Sequence, residues 1–151
     1  VKSGIIKLER TLVCVSSLLE DCVGAFKTLA KHSGIRLKFP CCQDEGLTVL
    51  EMNSIFVKMD KERISQVLRI LMSNAVKYSI SGGMISVRTQ VLHASDCIII
   101  ENTKISTSNN EDDKRRILRI VITDTGVGMD HEILPTLFSD GDKHVGLWSK
   151  S

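Results

Sequence analysis

The segment Asp124-Thr125-Gly126-Val127-Gly128-Met129 follows directly on the apolar run 117–123. Two glycines one residue apart allow a tight turn and a close approach of a ligand to the backbone. An aspartate at a strand's end presents a carboxylate there, and such a group accepts a hydrogen bond from an exocyclic amine like that of adenine. The same residues also suit an ordinary capped turn, since Asp and Gly are common turn formers. A second group closes the segment 63–78 as Ser73-Asn74-Ala75-Val76-Lys77-Tyr78. At helical periodicity Ile70, Asn74, Lys77 and Tyr78 share one face. The Asn74 amide oxygen is a ligand type for hydrated Mg²⁺. Lys77 offers a point charge for a phosphate, and Tyr78 a ring to pack on a base. The plainer reading is an amphipathic helix with a polar, exposed end.

These residues need elements to position them. Asp60 is a good N-cap. Ile64, Val67, Leu68, Leu71, Met72, Ala75 and Val76 then recur at i, i+3, i+4, i+7, i+8, i+11 and i+12, the strongest helical pattern in the chain, which runs to about Tyr78. Ser81-Gly82-Gly83 is a turn, and 84–92 a strand with Ile85, Val87, Thr89 and Val91 on one face. Upstream, 12–15 is a short strand, and Ser17-Leu18-Leu19-Glu20 fits a capping box. Leu18, Leu19, Cys22, Val23, Phe26, Leu29 and Ala30 follow as one helix that Ser33-Gly34 ends. Residues 35–39 alternate as a half-buried strand, 40–46 form a turn region, and 48–52 and 55–59 are strands around an Asn53-Ser54 turn. Further on, 98–100 is a short strand, 102–116 a solvated loop, 117–123 a buried strand, 130–138 a short helix and 139–151 a polar tail. Hairpins on one side and two long helices on the other predict a two-layer α/β sandwich.

The chain has 151 residues, 42% hydrophobic and 25% charged, which fits one globular domain and excludes disordered or collagen-like classes. A formal charge of +2 provides no basic sheath for nucleic acid and no polybasic membrane anchor. No apolar run approaches membrane-spanning length. The start Val1-Lys2-Ser3-Gly4 has neither a signal-peptide layout nor an initiator Met and reads as a fragment edge. Cys14, Cys22, Cys41, Cys42 and Cys97 are odd in number and contain no CxxC, so reduced thiols are expected rather than disulfides or a zinc site. His32, His93, His131 and His144 read as surface or packing residues.

Together the segments resemble a family. Asp60-x-x-Arg63-x-x-Gln66-Val67-Leu68, then Leu71-Met72-Ser73-Asn74-Ala75-Val76-Lys77-Tyr78-Ser79, then Gly82-Gly83, is similar to the N-box region of sensor histidine kinases. Ile120-Val121-Ile122-Thr123-Asp124-Thr125-Gly126-Val127-Gly128-Met129 resembles their G1 box, and 134–138 their F-box. Lys7-Leu8-Glu9-Arg10 resembles the linker that follows their dimerisation hairpin. The resemblance covers roughly residues 2–138. It implies the Bergerat (GHKL, HATPase) ATP-binding fold, with 1–15 as the end of the linker and 16–151 as the ATP-binding domain, 93–116 being a loop insertion. Carried over, Asp124 binds the adenine amine, Gly126 and Gly128 shape the pocket floor, Asn74 ligates Mg²⁺, Lys77 reaches the phosphates, Tyr78 flanks the adenine and Phe138 packs at the root of the lid.

Three departures qualify the resemblance. Ile70 stands where the family carries a polar residue, an Asn in the kinases or a catalytic Glu in the chaperone and topoisomerase relatives; isoleucine neither ligates metal nor takes a proton from water. The Gly-rich G2 box is reduced to Gly141 and Gly146-Leu147-Trp148, too close to Phe138 for a full lid. The sequence ends at Ser151, before the elements that complete the family's sheet, so the fold is expected to be truncated after the F-box and partial G2 box.

The implied function is the ATP-binding catalytic domain of a two-component or hybrid sensor histidine kinase, using ATP and Mg²⁺ in a phosphorelay. Its implied partners are the phosphoacceptor hairpin of the same kinase and a response-regulator receiver domain, in the cytoplasm, with no nucleic acid and no membrane contact by this segment. Two alternatives stand beside it. One is a pseudo-ATPase interaction module without transfer activity; the other, a hydrolytic ATPase, is disfavoured by Ile70.

Overall fold

The computed structural model describes residues 7–40, 46–93 and 116–129. In chain order the elements are β1 (Thr11–Cys14), α1 (Val15–Gly24), α2 (Lys27–His32), β2 (Arg36–Lys38), α3 (Val49–Asn53), β3 (Phe56–Met59), α4 (Lys61–Tyr78), β4 (Met84–His93) and β5 (Arg116–Asp124). β1 and β3 form an antiparallel ribbon, from Thr11 opposite Met59 to Cys14 opposite Phe56. β2, β4 and β5 form a mixed sheet in that order, β2 parallel to β4 and β5 antiparallel to it. Helices cover this sheet, so the α/β layering expected from the sequence is present.

The start of α1 departs from expectation. The helix begins at Val15 with Cys14 as N-cap and no side-chain cap. Ser17 is exposed within the helix, while Ser16 donates to Glu20 Oε1 at 2.9 Å. The strand runs straight into the helix, and the Val15 N–H donates to the Ile55 carbonyl at 3.0 Å. A tertiary partner thus satisfies one of the helix's first orphan donors. The single helix expected over this region is also two, broken after Gly24, a poor helix former. Its expected core residue Leu29 is exposed. Gly34 ends α2 at φ 69°, where a side chain is strained. Its carbonyl accepts from the Gly82 N–H at 2.9 Å, which brings the turn before β4 to the start of β2.

Residues 48–52, expected as a strand, form the cap and most of α3. The Thr48 hydroxyl accepts from the Glu51 N–H at 3.3 Å, and Glu51 Oε2 accepts from the Thr48 N–H at 2.7 Å. This is a capping box, written in the sequence as Thr48-Val49-Leu50-Glu51; its reciprocal bonds prevail over the local strand preference.

α4 is the spine of the core. Leu68 joins Val13, Val15, Leu18, Leu19, Cys22 and Met52. Met72, Ala75 and Val76 join Val23, Ala30, Ile35, Ile85 and Val87. The buried stripe is narrower than the apolar pattern suggested. Val67 and Leu71, expected inside, are about half exposed, and Ser65 is buried instead. Neighbouring elements cover only the line Ser65, Leu68, Met72, Ala75, Val76. On β4, Ile85, Val87 and Thr89 are buried as the alternation requires, and Val91 is half-buried. β5 was expected to be buried, yet its apolar residues are only half-buried. Leu118, Ile120 and Ile122 pack against the core, whereas Arg119 and Thr123 on the other side are exposed. Composition alone does not distinguish a strand covered on one face from one covered on both.

Among the described cysteines, Cys14 and Cys22 are free thiols. His93 and Arg116, expected at the ends of the loop insertion 93–116, instead pair with each other at the end of the β4–β5 ladder; the expected strand 98–100, the rest of the loop 102–116, helix 130–138, polar tail and three other cysteines lie outside the described residues.

Candidate functional site

The site is built where two distant segments meet. Asp60 caps α4 by accepting from the Arg63 N–H at 3.1 Å. The helix then runs without interruption to Tyr78. On the other side, the β4–β5 register sets Asp124 opposite Ile85. Thr125 extends that ladder: its N–H donates to the Met84 carbonyl at 3.1 Å, and its Oγ1 accepts from the Met84 N–H at 2.9 Å. The chain then turns onto the end of α4, where the Val127 N–H donates to the Tyr78 carbonyl at 3.3 Å.

Gly126 makes that junction possible. A Cβ there would lie 2.5 Å from the Tyr78 carbonyl oxygen and 2.6 Å from Asp124 Oδ1. The requirement is close approach, but of the chain's own helix end and of Asp124, not of a ligand as the Gly-x-Gly spacing suggested. Gly128 serves differently: it has open space around it but φ 72°, a backbone conformation glycine adopts without strain.

Asp124 is exposed. Its Oδ1 accepts from the Gly126 N–H at 2.8 Å. The local bond holds the carboxylate in place through one oxygen, and the other oxygen is available to an outside donor. Lys77 Nζ stands 5.1 Å from the centre of the Tyr78 ring, a cation–π distance. Lys77 is exposed and Tyr78 half-buried.

Asn74 lines a cleft of about 1120 Å³ along α4, shared by Gln66, Ile70 and Ser73 of the helix and by Lys7, Glu9 and Thr11 of the N-terminal segment. Lys77, Tyr78, Asp124, Gly126 and Gly128 lie outside that lining, so the cleft reaches the expected site at its Asn74 end. Ile70 is 53% exposed and shares the cleft with Asn74, one turn away, as periodicity predicted. Among the described residues no group of three His, Cys, Asp or Glu side chains gathers for a metal. His32 is exposed. Phe138 lies outside the described residues.

Sequence reasoning missed the role of Thr125, whose two bonds to Met84 lock the turn to β4. It also missed the Glu9 N–H donated to Asp60 Oδ2 at 3.1 Å, a link across 51 residues that no local pattern encodes.

A family model described as histidine kinase-, DNA gyrase B- and HSP90-like ATPase matches residues 59–148, more than half of the chain. The catalytic domain of histidine kinase ThkA is similar in structure at TM-score 0.57 and 15% identity, over 91% of this chain and 72% of that one. The cytoplasmic segment of histidine kinase QseC gives TM-score 0.45 and 19% identity, over 60% of this chain and 57% of that one. Histidine kinase AdeS of Acinetobacter baumannii gives TM-score 0.41 and 24% identity, over 58% and 44%. The matches thus span less than two thirds of the QseC and AdeS chains. No curated protein matches the sequence. The chain belongs to the histidine kinase-, DNA gyrase B- and HSP90-like ATPase family, and its mixed helices and sheets have that family's α/β fold. Among the described residues no helix is long and apolar enough to cross a membrane.

Proposed function

We propose that this chain is the ATP-binding catalytic domain of a sensor histidine kinase. The observation that carries the reading is the junction at Gly126. It places the strand-end carboxylate of Asp124 beside the end of the helix that bears Asn74, Lys77 and Tyr78. In this reading the free oxygen of Asp124 accepts from the adenine amine while the Gly126 N–H holds the other oxygen still. Tyr78 flanks the base. Gly126 and Gly128 shape the pocket floor. Lys77 and Asn74 face the phosphates. Bound ATP supplies the phosphoryl group, and the chain contributes positioning and charge.

The residues present fit Mg²⁺ weakly. Mg²⁺ keeps several waters and needs only one or two protein oxygens beside the phosphates. Asn74 offers one such oxygen in the cleft, and Ile70 offers none. In this reading residues 1–15 end a linker and 16–151 form the domain. Its partners are the phosphoacceptor hairpin of the same kinase and a receiver domain, and the setting is a cytoplasmic two-component phosphorelay.

Ile70 favours a second reading, a pseudo-ATPase interaction module that keeps the fold but lacks transfer activity. Calorimetric titration with ADP and ATP, with and without Mg²⁺, tests the first claim, with Asp124→Asn as control. Asparagine keeps an oxygen for the Gly126 N–H but can turn a donor toward the adenine amine. Loss of binding in the variant is expected; unchanged affinity refutes the adenine assignment. Phosphoryl transfer to a hairpin supplied in trans separates the two readings, since the pseudo-ATPase supports none.

A further inference from the structure

We propose that Asp60 is a positioning residue that ties the segment 7–10 to the helix carrying Asn74, and so sets the spacing of the two cleft walls. Its carboxylate divides its work. Oδ1 accepts from the Arg63 N–H in the first turn of α4, and Oδ2 accepts from the Glu9 N–H, each at 3.1 Å. Capping needs only the first of these bonds, and Asn or Ser would serve for it equally. A carboxylate is the side chain that brings two acceptor oxygens and no donor.

The position of this second bond gives it leverage. The β1–β3 ladder ends with Thr11 opposite Met59, the residue before Asp60. Asp60 therefore carries the attachment past the last strand pair, by side chain rather than backbone. Lys7, Glu9 and Thr11 line the cleft from one segment, and Asp60 with α4 as far as Asn74 lines it from the other. The two segments meet at Asp60, so its hold on Glu9 fixes their separation there. At the helical rise Asn74 lies roughly 21 Å along the same rigid rod. The Arg63 and Glu9 backbone N–H groups, in that order, hold the Asp60 carboxyl below its usual range. The group is therefore charged at neutral pH, and both bonds are charge-assisted.

The effect on nucleotide rests on the function proposed above; the tie itself does not. The test uses the full chain and Asp60→Asn, with Asp60→Ser as a second variant that also caps. Either keeps one oxygen for Arg63 and has none left for Glu9. Residue-resolved amide exchange should show Glu9 exchanging about tenfold faster, with the Arg63 amide little changed and the unfolding midpoint at neutral pH only slightly lowered. Calorimetry should then show ADP affinity shifted by about threefold or more. An unchanged Glu9 amide overturns the tie. A released Glu9 with unaltered ADP affinity overturns its control of the cleft. If the parent chain binds no ADP, the nucleotide reading fails, and the exchange of Glu9 alone decides whether the tie exists.

Discussion

Replacing Gly126 by alanine tests the junction on which the site depends. The new methyl would lie 2.5 Å from the Tyr78 carbonyl oxygen, about 0.9 Å short of the 3.4 Å at which ordinary contacts begin. Two of the three close neighbours are backbone atoms of Tyr78, at the packed end of α4, so no rotamer change relieves the contact. The turn must instead move away from the helix. The Val127 N–H bond to Tyr78 is already 3.3 Å long and would break, at a net cost of about 1 kcal/mol. Overpacking adds about 1–3 kcal/mol, of which an exposed turn relieves part. A total destabilisation of about 2–3 kcal/mol corresponds to a Tm lowered by roughly 5–10 °C for a domain of this size. Gly24→Ala is the matched control. Its Cβ meets nothing within 4 Å, and alanine in a helix is worth up to about 1 kcal/mol over glycine. Urea and thermal unfolding of both variants, with ADP titration alongside, measure the difference. Gly126→Ala should lose stability and bind ADP at least about tenfold more weakly, while Gly24→Ala holds or gains stability. A Gly126→Ala protein with parental Tm and parental ADP affinity would refute both the close approach and the placement of the site.

Ile70→Asn places an amide in the cleft one turn from Asn74. Because Ile70 is exposed there, stability should stay within about 0.5 kcal/mol, while the Mg²⁺-dependent part of ADP affinity rises; unaltered metal dependence would show that the helix face is misassigned. Thr89 is 2% exposed, and its hydroxyl has no partner among the described residues. Thr89→Val should therefore stabilise by about 1 kcal/mol in urea unfolding, and a loss would reveal a bond to that hydroxyl. Acid should weaken the fold through two carboxyls. Thr48's N–H and hydroxyl lower the affinity of Glu51 for protons, and the Arg63 and Glu9 N–H groups do the same for Asp60. Both groups bind protons more readily unfolded, so protonation favours unfolding. Their contribution is full above the ordinary values of 4.5 and 3.8 and fades as pH falls through the lowered folded values. Asp60→Asn combined with Glu51→Gln should flatten the pH dependence of Tm in that range; an unchanged slope would assign it to other groups.

Much of this protein was legible along the chain because the decisive signals are local. The Asp60 cap, the helix to Tyr78, the Gly34 stop and the alternation of β4 each depend on residues within a few positions of one another. Errors arose where a distant partner intervened or where two local signals competed. β1 pairs with β3 and runs on into α1 at Val15, whose N–H bonds to Ile55, so Ser17 falls inside the helix and not at its cap. At Thr48 the capping box was present in the sequence but lay beneath β-branched and apolar residues that suggested a strand. Burial was the least legible property. Val67 and Leu71 fit the apolar pattern of α4 yet stand half in solvent, because neighbouring elements, not the helix itself, decide how wide a stripe is covered. The site divides in the same way. By itself the sequence determined which residues are of types suited to chemistry and which of them share a helical face, since residue type and helical pitch are local facts. Only the tertiary structure decided that the turn at Gly126 lands on the carbonyl of Tyr78, and that Asp60 reaches Glu9. Those contacts join residues some fifty positions apart, and chain packing alone brings them within hydrogen-bonding distance.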